Sequence, residues 1–294
     1  MTPLFKGCAT ALITPFTSTG DVDYPALDNL VEFQIDNGID ALVITGTTGE
    51  ASTLTDTEHI AVITRAVKQV RGRVPVIAGT GSNHTEHGIS LSRAAQEVGA
   101  DALLLVTPYY NKTTQAGLIA HYTATAQAVD IPIILYSVPG RTGMGITPDT
   151  MAALSQVKGI VGLKDATGDL GYAVKVRQLC GDRIAPYSGN DDVAVPLMSI
   201  GGLGVISVLS NIMPRATRDM TAAFLAGDVQ KAGRDQVALK GIIDALFMET
   251  NPIPVKYAAA RMGLCEGYLR MPLVTASEAA QSKMDALLQQ HGLI

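Results

Sequence analysis

The 294-residue sequence predicts an α/β fold, a (β/α)8 TIM barrel with an appended C-terminal helical domain. Three observations predict it. Short apolar runs alternate with longer stretches of helical periodicity, the pattern of βαβ units and a parallel sheet. The runs are almost continuously apolar rather than alternating, as strands covered on both faces require. Eight such units fit within residues 1–225, close to the ~250 residues typical of this barrel.

The strands are expected at Cys8–Thr14, Ala41–Thr45, Val74–Ala78, Ala102–Val106, Pro132–Tyr136, Ile160–Lys164, Ile184–Ser188 and Gly204–Val208. Leu27–Asp36, Glu58–Val70, Ile89–Val98 and Gly117–Val129 carry helical periodicity between them. After Met213–Leu225 and a Gly227-Asp228 turn, only helical patterns remain: Val229–Phe247, Ile253–Met262 and Ala276–Gln290. Residues 226–294 are therefore expected to form the helical domain, residues 1–225 the barrel. A doubly wound open sheet is the competitor, but its glycine fingerprint is missing after the first strand, which runs into Thr14-Pro15-Phe16. Gly79-Thr80-Gly81 lacks the third glycine and reads as a turn.

Composition narrows the function classes. Hydrophobic residues are 47% of the chain and charged ones 17%, which argues for a large buried core and against disorder. Twenty-two Lys and Arg against 27 Asp and Glu give a net charge of −5, so no nucleic-acid or membrane partner is advertised. The longest apolar runs fall far short of the ~18 residues of a spanning helix. Cys8, Cys180 and Cys265 match no zinc or redox spacing, and the N-terminus has no signal-peptide pattern. A cytoplasmic protein is expected. His84, Glu86 and His87 offer too little for a catalytic zinc site and read as a polar helix start; no metal is expected.

In a barrel, chemistry gathers at the carboxyl ends of the strands. Strand two runs into Gly46-Thr47-Thr48-Gly49-Glu50 and strand four into Thr107-Pro108-Tyr109-Tyr110. Strand five ends on Tyr136 before a loop containing Arg141, strand six ends on Lys164, and strand seven ends in Ser188-Gly189-Asn190-Asp191. Alternation places Ile160, Gly162 and Lys164 on one face. If that face is interior, Gly162 leaves room beside a buried amine whose lowered pKa permits attack on a carbonyl and Schiff-base formation. Taken alone, a strand-end lysine is more often a solvated terminus. Tyr136 changes the balance: on the neighbouring strand it can bring a phenol to the amine, with Thr47 and Tyr110 available as relay hydroxyls. The Gly-flanked Thr47-Thr48 turn could bind a carboxylate through its N–H groups, and Arg141 could bind another bidentately.

Five segments in order resemble dihydrodipicolinate synthases. They are Gly46-Thr47-Thr48-Gly49-Glu50, Val106-Thr107-Pro108-Tyr109-Tyr110-Asn111, Leu135-Tyr136-Ser137-Val138-Pro139-Gly140-Arg141-Thr142-Gly143, Gly162-Leu163-Lys164-Asp165-Ala166-Thr167-Gly168 and Asn251-Pro252-Ile253-Pro254-Val255-Lys256. The wider group is the class I pyruvate aldolases, which includes N-acetylneuraminate lyase. The resemblance implies a Schiff-base lyase that condenses pyruvate with L-aspartate 4-semialdehyde, towards diaminopimelate and lysine, without a cofactor. It implies that Lys164 forms the imine. Tyr136, Thr47 and Tyr110 would relay protons, Tyr110 from a neighbouring subunit of a homotetramer. Thr48 would hold the pyruvate carboxylate, and Arg141 the semialdehyde carboxylate with help from Gly189 and Ile206. The alternative keeps the imine and changes the acceptor, giving an N-acetylneuraminate or 2-keto-3-deoxy sugar acid lyase. Ser137, Gly140 and Asn190 stand where some members carry Asn, Ser and Asp. His59, Asn83 and Tyr109 match an allosteric lysine site, but His87 replaces its carboxylate and Asp56 a histidine, so weak or absent lysine inhibition is expected.

Overall fold

The computed structural model describes residues 3–294. Eight parallel strands close into a barrel in chain order. They are β1 (Gly7–Ala11), β2 (Ala41–Ile44), β3 (Val76–Gly79), β4 (Ala102–Val106), β5 (Ile133–Ser137), β6 (Ile160–Asp165), β7 (Ala185–Ser188) and β8 (Gly204–Ser207). Around them run α1 (Tyr24–Asp36), α2 (Asp56–Val70), α3 (Thr85–Glu97), α4 (Gln115–Ala128), the short α5 (Pro139–Thr142) and α6 (Pro148–Leu154), α7 (Leu170–Cys180), α8 (Ala194–Ser199) and α9 (Pro214–Leu225). The tail adds α10 (Val229–Leu246), α11 (Ile253–Arg261) and α12 (Glu278–Gln290).

The expected barrel is present, with strand ends shifted by up to three residues. Pro132 precedes β5 because it has no N–H to donate, though its carbonyl accepts the Leu103 N–H at 2.8 Å. Helix starts follow local chemistry. Thr55 and Glu58 form a reciprocal capping box at α2, and Ser277 caps α12 through the Ala280 N–H.

Two apolar layers follow from the period-two alternation of the strands. Ala9, Val43, Leu104, Ile134, Tyr136 and Tyr187 fill the interior. Cys8, Leu42, Leu103, Leu135, Leu163 and Val205 face the surrounding helices. That outer layer continues without a break into Ile242 and Leu246 of α10, Val255 of α11 and Leu288 of α12. The tail is thus built onto the barrel's own core.

One expected alternation fails. The β5–β6 register slips between Ile133 and Ile134, pairing Ile133 with Ile160 but Ile134 with Gly162. Ile160 consequently joins the outer layer, while Gly162 and Lys164 keep the inner face. A Cβ on Gly162 would lie 2.9 Å from the Ala185 carbonyl oxygen and 3.3 Å from Ile134 Cγ1. Its missing side chain relieves the sheet; room for the lysine comes from elsewhere.

Closure between β1 and β8 depends on Gly204, whose φ is +153° and whose notional Cβ would lie 1.8 Å from the Gly7 carbonyl oxygen. Gly204→Ala is expected to lower stability by more than about 2 kcal/mol through backbone displacement at this seam. A thermal melt compared with that of the unaltered protein checks it.

Candidate active site

Lys164 and Tyr136 are direct partners across β5 and β6, so the barrel's hydrogen-bond register fixes their proximity. Both are buried, and the Lys164 Nζ rests 4.3 Å from the centre of the Tyr136 ring. On the other side Lys164 pairs with Tyr187, whose hydroxyl donates to the Phe5 carbonyl at 2.9 Å and faces away from chemistry. Gly189 provides the space: a Cβ there would press on Lys164 Cε at 3.2 Å and on Ala166 Cβ at 2.8 Å. Among the described residues, the Lys164 amine has no hydrogen-bond or ion-pair partner.

Burial pushes the Lys164 amine down to about 8; Asp191 draws it back and the Arg141 cation adds to the fall. At neutral pH this raises the share of free amine by ~300-fold over an ordinary lysine. The Tyr136 phenol moves the other way, raised by burial and partly restrained by Arg141 and the Thr47 hydroxyl. It therefore stays protonated beside an amine that readily loses its proton.

Thr47 and Thr48 occupy the turn after β2. Gly49 and Glu50 donate back to the carbonyls of Gly46 and Thr47 at 3.0 and 3.1 Å, which winds the turn tightly. The Thr47 and Thr48 N–H groups find no acceptor among the described residues and remain available to an anion. The turn is bracketed by two non-glycine residues in the left-handed region, Thr45 and Glu50, both with φ +53°. Its outer side is held by the tail. Asn251 Nδ2 donates to the Thr48 hydroxyl at 2.9 Å, while the Asn251 carbonyl accepts from Arg141 Nη2 at 2.9 Å. Because Thr48 accepts that bond, its own proton is free for another partner.

A cavity of about 530 Å³ opens at this end of the barrel, with Thr47, Tyr136 and Arg141 on its wall. The structure thus brings Lys164, Tyr136, Thr47, Thr48, Arg141 and Gly189 into one neighbourhood. Ile206 is buried on the interior face of β8. Tyr110 is the exception, 93% exposed with φ +67°, and it contributes nothing to the cavity of its own chain.

The cavity continues along His59, Tyr109, Asp56 and His87. Asn83 Nδ2 donates to the Tyr109 carbonyl at 3.1 Å, so the three residues expected at a second ligand site do adjoin one another. His59 Nε2–H donates to the Gly79 carbonyl at 2.8 Å, and burial lowers the ring's pKa, keeping it neutral. His87 Nε2 lies 2.9 Å from Asp56 Oδ1. The two departures noted in the sequence therefore engage each other.

Sequence reasoning gave no role to Asn251, Glu50, Lys256 or Asp191. The first three lie inside the quoted segments, so their types were visible while their partners, some 200 residues away, were not. Asp191 is fully buried, its Oδ2 accepting the N–H groups of Val208 and Leu209 at 2.9 and 3.1 Å. No group of three or more His, Cys, Asp or Glu among the described residues is arranged to hold a metal ion. None of the described helices is long and apolar enough to cross a membrane.

A barrel with a buried strand-six amine beside a buried phenol defines a class I aldolase-type lyase. The Dihydrodipicolinate synthetase family model matches residues 4–291, and the chain belongs to that family. The 4-hydroxy-tetrahydrodipicolinate synthase of Geobacter sulfurreducens is 53% identical over 291 residues, covering 99% of this chain and all of that one. The enzyme of the same name from Trichlorobacter lovleyi is 52% identical with equal coverage. The crystal structure of dihydrodipicolinate synthase from Aquifex aeolicus superposes with a TM-score of 0.96 at 46% identity, covering 98% of this chain and 99% of that one.

An amine adds to a ketone only when unprotonated. Borohydride trapping of pyruvate on the protein is therefore expected to accelerate as pH rises, levelling off with a midpoint near the Lys164 value of about 8. Rates measured between neutral and alkaline pH check this; a midpoint at the ordinary lysine value would contradict it.

Proposed function

We infer that this chain is a 4-hydroxy-tetrahydrodipicolinate synthase, condensing pyruvate with L-aspartate 4-semialdehyde through an imine on Lys164. The observation that carries the reading is the unpaired, buried Lys164 amine 4.3 Å over the Tyr136 ring. The relatives at 50–53% identity bear the synthase name, which favours this acceptor over a sugar-acid lyase.

In the proposed sequence, the Thr47 and Thr48 N–H groups and the Thr48 hydroxyl hold the pyruvate carboxylate. The Lys164 nitrogen adds to the ketone carbon, and the carbinolamine loses water to give an iminium. Tyr136 supplies and recovers protons, with Thr47 next to it. The iminium draws electrons from the methyl C–H bond, and loss of that proton leaves a nucleophilic enamine. Its terminal carbon bonds to the aldehyde carbon of the second substrate, whose oxygen takes up a proton. Arg141 holds the carboxylate of that substrate, with Gly189 and Ile206 lining its approach. The substrate's own amine then attacks the iminium carbon and expels Lys164, closing the ring and regenerating the enzyme. Net, one water leaves. Each step moves only protons and electron pairs between carbon, nitrogen and oxygen, so no external cofactor is required.

Tyr110 is proposed to complete the relay from a neighbouring copy, within a homotetramer built as a pair of dimers. Its projection from the protomer surface supports this assignment. A cytoplasmic location fits a biosynthetic enzyme of this kind.

Pyruvate with borohydride, followed by peptide mass mapping, is expected to place one adduct on the peptide containing Lys164. Lys164→Met should abolish the adduct and lower turnover by ~1000-fold or more, measured with dihydrodipicolinate reductase as the coupling enzyme. Full turnover in that variant, or faster cleavage of keto-deoxy sugar acids by the unaltered protein, would overturn the reading. Free lysine is expected to inhibit weakly or not at all, because His87 and Asp56 occupy each other. An ordinary inhibition curve through the low-millimolar range, abolished by Asn83→Ala, would contradict this.

A further inference from the structure

A second lysine is as deeply buried as Lys164 and plays no part in the chemistry above. Lys256, in α11 of the tail, is fully buried against Glu50, itself 2% exposed, and the two form an ion pair with no access to water. The Lys256 amine also lies 4.1 Å from the centre of the Phe16 ring, and the Arg270 guanidinium 4.4 Å from the same ring. Glu50 Oε2 accepts the Arg270 backbone N–H at 3.1 Å. Each carboxylate oxygen of Glu50 thus meets one donor from the tail.

Glu50 closes the turn that carries Thr47 and Thr48, and it does so in the left-handed region at φ +53° and ψ +37°. A residue with a Cβ does not choose that conformation unaided. Something must hold it, and the side chain is gripped at both oxygens. The geometry points to the Glu50–Lys256 pair as a positioning device that sets the Thr47–Thr48 N–H groups for the substrate carboxylate, from residues that never touch the substrate. A structural pair could bury the same charges anywhere in the core. This one is attached to the turn whose Thr47 and Thr48 amides are left open.

The inference rests on the reading that the turn binds the pyruvate carboxylate, so its test must fail separately from that reading. Three variants serve: Lys256→Met, Glu50→Gln, and the two combined. Removing one charge strands the other in the core and threatens folding; removing both does not. The measurement is the pyruvate concentration that half-saturates borohydride trapping on Lys164, alongside a thermal melt. In the double variant, half-saturation is expected to rise at least tenfold, while the trapping rate at saturating pyruvate stays within about threefold of the unaltered protein. If the double variant does not fold, Glu50→Asp is read by the same criterion, since it keeps both charges and shortens only the side chain that seats the turn. A folded variant with unchanged half-saturation would overturn the positioning role. Failure of the unaltered protein to trap pyruvate on Lys164 would instead overturn the reading beneath it.

Discussion

Everything at the mouth of this barrel follows from the cost of keeping a positive charge away from water. Two lysines show the two ways a fold can meet that cost. Burial pushes the Lys256 amine down as well, but Glu50 lies against it as an ion-pair partner and draws it back. Lys164 has no carboxylate in contact, only an aromatic face and a distant Asp191, and its proton becomes easy to lose. The same side chain, at similar depth, is an ionic anchor in one place and a free amine in the other.

The surroundings of Lys164 are consistent with that division. Tyr136 is held protonated by the same burial that unloads the amine, so donor and acceptor coexist across one strand pair. Gly189 keeps the lysine stem from being pushed aside. Arg141 faces the cavity with one guanidinium nitrogen fixed on Asn251, which orients the cation without neutralising it. A carbonyl can do that; a carboxylate would have neutralised the cation.

Much of this was legible in the order of residues. Eight apolar runs gave the barrel, and the strand-end positions of Tyr136 and Lys164 placed both at its carboxyl mouth. What stayed hidden has physical causes. The register slip at Ile133 moved Ile160 to the outer layer, and no pattern in a single strand announces a slip set by its neighbour. Gly162 was credited with making room that Gly189 makes, because the approach of one loop to another strand's side chain is a tertiary fact. Asn251 and Lys256 stood in plain view inside a quoted segment. Their targets, Thr48 and Glu50, lie more than 200 positions earlier, beyond the reach of any local spacing.

That separation in the chain has a consequence for synthesis. A nascent polypeptide that has emerged as far as α9 already possesses all eight strands, with Lys164 and Tyr136. It still lacks the asparagine that braces Thr48 and the cation that seats Glu50. The turn after β2 is therefore braced only once the chain has been made as far as α11, long after the barrel strands themselves.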